Sequence, residues 1–371
     1  MRAAVVRSQG KVLVEDVDVD EPAADEVLIR TVAAGVCRSD LSLVNGSLPP
    51  PPPIVLGHES SGIVERVGSG VSYLTPGDHV VTCLSLFCGR CEYCLTGHAA
   101  LCDRSALPLR RAADRPRLSQ HGQALPQMVG LASFGEKLLV HENSVVKIRD
   151  DMPLEAAALL GCGVTTGLGA VLHTAKVPAG ATVAVIGCGG VGLSAIQGAR
   201  ISGAGRIIAI DKSAPRLQLA RQLGATDVVD ATADDVVDAV RELTGGGVEY
   251  SFEVVGGTTT AEQAFAMLRP GGTATVVGLS FGSDMIRVPG ELLRAERKLQ
   301  GSLMGSASFR IMIPRYVDLY LQHRLKLDEV VTARYPLERI NDALSSATRA
   351  EGARSIVVFD GADGQGGGGT P

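Results

Sequence analysis

The sequence has no tryptophan, and that absence says little about function. Other scarcities exclude more. Lysine and arginine are outnumbered by aspartate and glutamate, the net charge is -5 and no basic stripe runs through the chain, so neither nucleic acid nor an anionic membrane surface is expected as a partner. No apolar run approaches the roughly 18 residues that a membrane-spanning helix requires. The opening Met1-Arg2-Ala3-Ala4-Val5-Val6-Arg7 is too short and too charged for a secretory signal. A soluble, cytoplasmic protein is the expectation.

What is present begins with length. At 371 residues the chain exceeds one small core and fits two domains. Its eight cysteines are Cys37, Cys83, Cys88, Cys91, Cys94, Cys102, Cys162 and Cys188, and four of them crowd between positions 88 and 102. Without a secretion signal, such crowding argues for metal rather than disulfides.

The most informative stretch runs from Val183 to Asp211. An apolar strand leads into Gly187-Cys188-Gly189-Gly190-Val191-Gly192, a helical segment follows, and Arg206-Ile207-Ile208-Ala209-Ile210-Asp211 reads as a second strand closed by an acid. Each glycine has a reason. Gly187 permits the tight turn, Gly189 lets backbone amides approach a pyrophosphate, and Gly192 lets helix and strand pack closely. Gly190 and Val191 open the helix, whose N-terminus faces the phosphates. Asp211 stands where an acid accepts hydrogen bonds from the adenosine ribose. A carboxylate there repels a 2′-phosphate, so NAD is favoured over NADP.

Up to about Lys147 the pattern is β-like, with runs such as Val27-Leu28-Ile29-Arg30-Thr31-Val32 broken by glycine and proline. The Pro49 to Pro53 run is expected to be an extended, stiff surface linker. From about Pro153 helix formers take over. Strands are then predicted at Thr182 to Ile186, Ile207 to Ile210, Val228 to Val229, Tyr250 to Val254 and Thr273 to Val277, with helices between them, for example Ala214 to Leu223 and Thr259 to Leu268. That alternation predicts an α/β fold with a doubly wound parallel sheet. The strand-like Ser355 to Phe359 is expected to return to the first domain, and the glycine-rich residues 361–371 to be a disordered tail.

Two constellations carry metal chemistry. Cys88, Cys91, Cys94 and Cys102 can close a tetrahedral thiolate cage on one loop, which leaves no open position and is therefore structural. The lobe lacks the interleaved basic and aromatic residues of a nucleic-acid-binding ribbon. Cys37 in Gly-Val-Cys-Arg-Ser-Asp, His58 in Gly-His-Glu and Cys162 in Gly-Cys-Gly are scattered. Singly, such a cysteine reads as a small core residue and such a histidine as a hydrogen-bonded one.

Those three stretches, the cysteine lobe, Pro76-Gly77-Asp78-His79-Val80, Gly-Cys-Gly-Val-Thr-Thr-Gly and the Gly187 turn occur in the order seen in zinc-dependent medium-chain alcohol dehydrogenases. The resemblance covers about residue 1 to Phe359. It implies a GroES-like β-rich catalytic domain (1–163, resumed at 304–360) interrupted by a Rossmann domain (164–303), with the active site between them. It also implies two zinc ions per chain. Cys37, His58 and Cys162 resemble the catalytic zinc ligands, a set that leaves a fourth position open. The reaction implied is reversible hydride transfer from a primary aliphatic or aromatic alcohol to NAD, giving the aldehyde; a polyol or secondary-alcohol dehydrogenase is the alternative.

By the same resemblance Asp40 holds the ligand histidine, Glu59 is an acid close to the metal, and Ser39 passes on the substrate proton. Ser42 stands where some relatives continue that relay with a histidine. Arg38 and Arg354 resemble a pair of arginines that clamp pyrophosphate, Arg216 the basic residue beside the ribose, and Thr166 a neighbour of the nicotinamide. Leu48, Leu84 and Leu279 take the substrate-pocket positions and predict an apolar channel. Ala106 stands where glutathione-dependent relatives place a carboxylate-holding arginine, for which Arg110 or Arg111 could substitute. The long segment after Cys102, and an edge strand over Leu299 to Met304, predict a homodimer.

Overall fold

The computed structural model describes residues 1–110, 114–232, 235–279, 284–349 and 352–359. Two sheets organise it. The first gathers β1 (Glu26–Gly35), β2 (Ser60–Val67), β3 (His79–Thr82), β4 (Lys137–His141) and β5 (Val145–Lys147). In the middle of this sheet β1 pairs antiparallel with β2 along its length, with β4 beside its first half and with a C-terminal strand beside its second. Nine of the ten β1 residues are buried, as expected of a central strand covered on both faces.

After a buried helical passage, α1 (Gly163–Gly169) and the π turn Ala170–Thr174, the chain builds a second sheet. Its strands are β6 (Thr182–Ile186), β7 (Arg206–Asp211), β8 (Asp227–Asp230), β9 (Val248–Glu253), β10 (Leu268–Val276) and β11 (Lys298–Gly301). They lie in the order β8-β7-β6-β9-β10-β11, and every pairing is parallel. The strand order reverses between β6 and β9, so the crevice at their C-terminal ends is where a ligand of such a sheet binds. The helix Gly190–Ser202, called α2, starts there; α3 (Ala214–Leu223) follows β7. α2 presses on α1 so closely that a Cβ on Gly167 would lie 2.3 Å from the Val191 carbonyl oxygen.

The chain then returns through β12 (Val331–Pro336) and β13 (Arg354–Val358), and β13 completes the first sheet beside β1. The expected return of this segment is what the pairing shows, while residues 361–371 lie outside the described residues. β11 is the edge of the parallel sheet, paired with β10. The proline run differs from expectation. Residues 47–53 are a surface segment made of bends rather than an extended spacer, with cis peptides at Pro49-Pro50 and Pro52-Pro53, and lead into the short strand Ile54–Val55. Among the described residues no single helix is long and apolar enough to cross a membrane.

Candidate active site

Three separate elements converge on one buried point. Cys37 caps the helix Arg38–Val44 just after β1, His58 precedes β2, and Cys162 caps α1. Their ligating atoms all lie within 4.8 Å of one another, and all three residues are buried. Asp40 is fully buried; one of its oxygens lies 2.9 Å from His58 Nδ1 and the other accepts from the Cys37 N–H at 2.8 Å. The ring is thereby oriented with Nδ1 on a carboxylate. Its Nε2 is buried and has no hydrogen-bond partner, which is costly unless something outside the protein meets it.

The charges fit a cation at that point. Hydrogen bonding from Cys162 outweighs burial and holds the Cys37 thiol well below its ordinary value, while the same contact and burial drive Cys162 well above. Burial pulls the His58 imidazole down, but Asp40 and Cys37 together raise it well above the usual range. Two soft sulfurs and an orphaned imidazole nitrogen are the donor set of a catalytic zinc site with an open position. Ser39, half-buried, sits with its hydroxyl 3.9 Å from Cys37 Sγ, whereas the Ser42 hydroxyl donates to the Arg38 carbonyl within its own helix.

Beneath this cluster lies a buried ion pair. Glu59 is fully buried and receives the Arg354 guanidinium on one oxygen and the Gly163 N–H at 3.0 Å on the other. Burial pushes the Glu59 carboxyl above its ordinary value, with Arg354 opposing. Gly35 leaves room for this acid, since a Cβ there would stand 1.9 Å from Glu59 Oε1. Arg354 runs along the start of α2, and a Cβ on Gly190 would lie 2.5 Å from its Cδ. Gly190 therefore serves the arginine as well as the helix terminus.

The other residues expected to hold the cofactor begin with the glycine turn after β6. Gly187 has φ +100°, and a Cβ on Gly192 would lie 1.8 Å from the Gly187 carbonyl oxygen, while Gly189 is open to solvent space on its Cβ side. Asp211 closes β7 and accepts from the Cys188 N–H at 2.6 Å and the Ser213 N–H at 2.9 Å. Arg216 on α3 donates to the Gly352 carbonyl at 3.1 Å, and Arg38 is exposed. Thr166 donates to Met304 Sδ at 3.4 Å, which ties α1 to the turn after β11.

That turn forms part of a cavity of about 410 Å³ between the cysteine lobe and the ends of β10 and β11. Leu279, Leu303 and Leu101 supply apolar walls. Leu279 is thus at the cavity, whereas Leu48 packs beside the cluster of Val36, Leu43 and Val44, and Leu84 packs between two cores. Gly169 and Gly305 meet backbone to backbone, since a Cβ on either would lie within 2.7 Å of the other's Cα. The Ser302 and Ser306 hydroxyls both turn to Thr174, at 2.9 and 2.8 Å. Sequence reasoning singled out neither Thr174 nor His98, which also lines the cavity, and named Met304 only as the end of an edge strand.

The lobe itself forms a second cage. Cys88, Cys91, Cys94 and Cys102 bring their sulfurs within 4.8 Å of one another. The Arg90 N–H, ahead of the other contacts, brings Cys88 down to about 6. Arg110, one substitute for the missing carboxylate-holding arginine, is committed elsewhere: it donates to Glu26 and Asp20, each at 2.6 Å. Arg111 lies outside the described residues.

Comparison with known proteins agrees with this geometry. Residues 23–150 match the alcohol dehydrogenase GroES-like domain and residues 190–319 the zinc-binding dehydrogenase domain. An NDMA-dependent alcohol dehydrogenase of Amycolatopsis methanolica is 38% identical over 365 residues, 96% of this chain and 98% of that protein. A probable S-(hydroxymethyl)glutathione dehydrogenase of Schizosaccharomyces pombe is 38% identical over 93% of each chain. Among solved structures, benzyl alcohol dehydrogenase of Acinetobacter calcoaceticus superposes with a TM-score of 0.90 at 34% identity, over 96% of this chain and 99% of that one. The fold and site define a zinc-binding oxidoreductase with a GroES-like and a Rossmann-type half. The chain belongs to the zinc-dependent medium-chain alcohol dehydrogenase family.

Proposed function

We propose that the protein is an NAD- and zinc-dependent dehydrogenase that oxidises primary aliphatic or aromatic alcohols to aldehydes, reversibly. The observation that carries this reading is the orphaned, buried His58 Nε2 beside two buried cysteine sulfurs. Zinc held by Cys37, His58 and Cys162 supplies Lewis acidity that eases loss of the alcohol's proton. NAD supplies the hydride acceptor.

The chain's own residues do the rest. Asp40 fixes the His58 ring, and the sulfurs of Cys37 and Cys162 offset a dication when deprotonated. The Ser39 hydroxyl, beside Cys37, takes up the substrate proton and passes it outward. Arg354 and Arg38 offer guanidinium groups to the pyrophosphate, and the amides around Gly189 approach it. Asp211 favours NAD over NADP by repelling a 2′-phosphate. Its two oxygens are already oriented by the Cys188 and Ser213 amides.

An apolar alcohol is supported over a polyol by Leu101, Leu279 and Leu303 on the cavity wall, where Ser302 and Ser306 already share contacts with Thr174. The benzyl alcohol dehydrogenase fold-mate points the same way. A glutathione adduct is disfavoured by Ala106 and by the engagement of Arg110. Exposed Leu293, Leu299 and Leu303 around the edge strand β11 favour a homodimer, and the cytoplasm is the proposed location.

The test is a substrate screen followed by NADH absorbance, repeated with NDMA as acceptor because one relative depends on it, together with a zinc count. Turnover of benzyl alcohol with NAD and two zinc ions per chain is expected. One zinc or none, or a preference for sorbitol or 2-propanol, would overturn the reading. Sedimentation as a stable monomer or tetramer would remove the homodimer.

A further inference from the structure

Among the described residues, the wall of the 410 Å³ cavity holds one ionisable side chain, the exposed His98. It is not needed by the metal cage of its own lobe, which already has four thiolates. Its neighbours fix its chemistry. Thr96 Oγ1 lies 2.9 Å from the Glu92 carbonyl oxygen, 3.3 Å from that of Tyr93 and 3.2 Å from His98 Nδ1. A hydroxyl has a single proton, and carbonyl oxygens can only accept. The Thr96 proton therefore goes to a carbonyl, and Oγ1 is left to accept from His98 Nδ1–H. In the neutral imidazole this assigns the tautomer by its network. Nε2 is then the unprotonated nitrogen, an acceptor on a side chain that lines a largely apolar space.

We propose that His98 accepts a hydrogen bond from a donor group at the end of the substrate remote from the reacting carbinol. The preferred substrates are then apolar or aromatic alcohols that carry a second donor, such as a phenolic hydroxyl. This rests on the reading of the cavity as the alcohol site. The surrounding chemistry sharpens the preference. Leu101, Leu279 and Leu303 offer no competing partner, and the Ser302 and Ser306 hydroxyls already share contacts with Thr174. A ligand whose remote group can only accept leaves two acceptors facing each other, and a site built for a missing partner discriminates more sharply than one that merely fills space.

The experiment compares kcat/KM for 4-hydroxybenzyl alcohol, 4-methoxybenzyl alcohol and benzyl alcohol in the zinc-loaded full-length protein. The phenol and its methyl ether have nearly the same shape and differ in the donor. The wild type is expected to favour the phenol over the ether by about tenfold, the worth of one hydrogen bond. In His98→Phe that ratio should fall to about one, and in His98→Gln, whose side-chain carbonyl can accept, it should stay well above one. Zinc content is measured for each variant. Equal use of phenol and ether by the wild type overturns the proposal whatever the variants do, and so does a ratio that survives in a His98→Phe protein with its zinc intact. No turnover of any of the three alcohols overturns the alcohol reading as well, whereas turnover with a flat ratio overturns this inference alone.

Discussion

Arg354 reaches from the first residue of β13 across the start of α2 to pair with Glu59, with both side chains buried. The contact joins the floor of the zinc cluster to the glycine turn. The buried guanidinium is thereby balanced by the acid that follows His58 in the chain.

Removing one partner should cost more than removing both. Arg354→Met strands a buried carboxylate, for which about 3–5 kcal/mol of destabilisation is expected. Glu59→Gln in the same background should recover a large part of it, because the uncompensated charge is gone. Urea denaturation of both single variants and the double variant checks this. Additive costs would mean that the pair is not the unit described here.

The two outer roles of the glycine turn can be separated. A Cβ on Gly192 would stand 1.8 Å from the Gly187 carbonyl oxygen, so Gly192→Ala should destabilise the fold by about 3 kcal/mol or more. Gly189 has φ -79°, which alanine adopts freely, and nothing lies within 4 Å of its Cβ position. Gly189→Ala should leave stability within about 0.5 kcal/mol while weakening NAD about tenfold, the loss of one backbone contact. Thermal melts and fluorescence titration with NADH distinguish the two. Equal effects on both observables would contradict the division of roles.

Legibility in the sequence followed the range of the interactions. The central strands β6 and β7 carry buried apolar runs, and β6 was readable residue for residue, as was α3. The lobe was readable because its four ligands are local. Cys37, His58 and Cys162 come from three elements, and no spacing rule unites them; only the resemblance did. The partnership of Arg354 with Glu59 spans nearly the whole chain, and the back-to-back approach of Gly169 and Gly305 depends on tertiary packing that periodicity does not report. Leu84, a pocket position by the resemblance alone, packs against two cores, a contact that periodicity does not report either. The proline run shows the limit of composition, since it forms bends where composition predicted an extended spacer.

The two cages should empty independently. Cys94→Ser is expected to lower the zinc count from two to one and to make the partly exposed lobe a site of proteolytic cleavage, because a structural zinc supplies the folding energy of its loop. Cys37→Ala should remove the other zinc and abolish turnover, with NAD binding still detectable. Metal analysis of each variant, with limited proteolysis, reads both outcomes. Loss of both ions from either variant would show that the sites are coupled.

Acid should attack first at a different buried charge. Glu26, the opening residue of β1, is 3% exposed and accepts from Arg110, from Arg117 at 2.7 Å and from the Ala23 N–H at 2.9 Å. Burial alone would raise its carboxyl, but these three donors outweigh it and hold the group below the ordinary range. A depressed folded value means that the unfolded chain binds the proton more readily. The contribution is therefore complete above the unfolded value of about 4.3 and is lost as pH falls through the lower folded value. The wild-type melting temperature should drop steeply on acidification below about pH 4.3. Glu26→Gln should cost about 3 kcal/mol at pH 7, where Arg117 is left without its carboxylate, and should flatten part of the acid slope. Melting curves from pH 7 to pH 3 measure both, and a variant with the wild-type acid slope would remove Glu26 from the account.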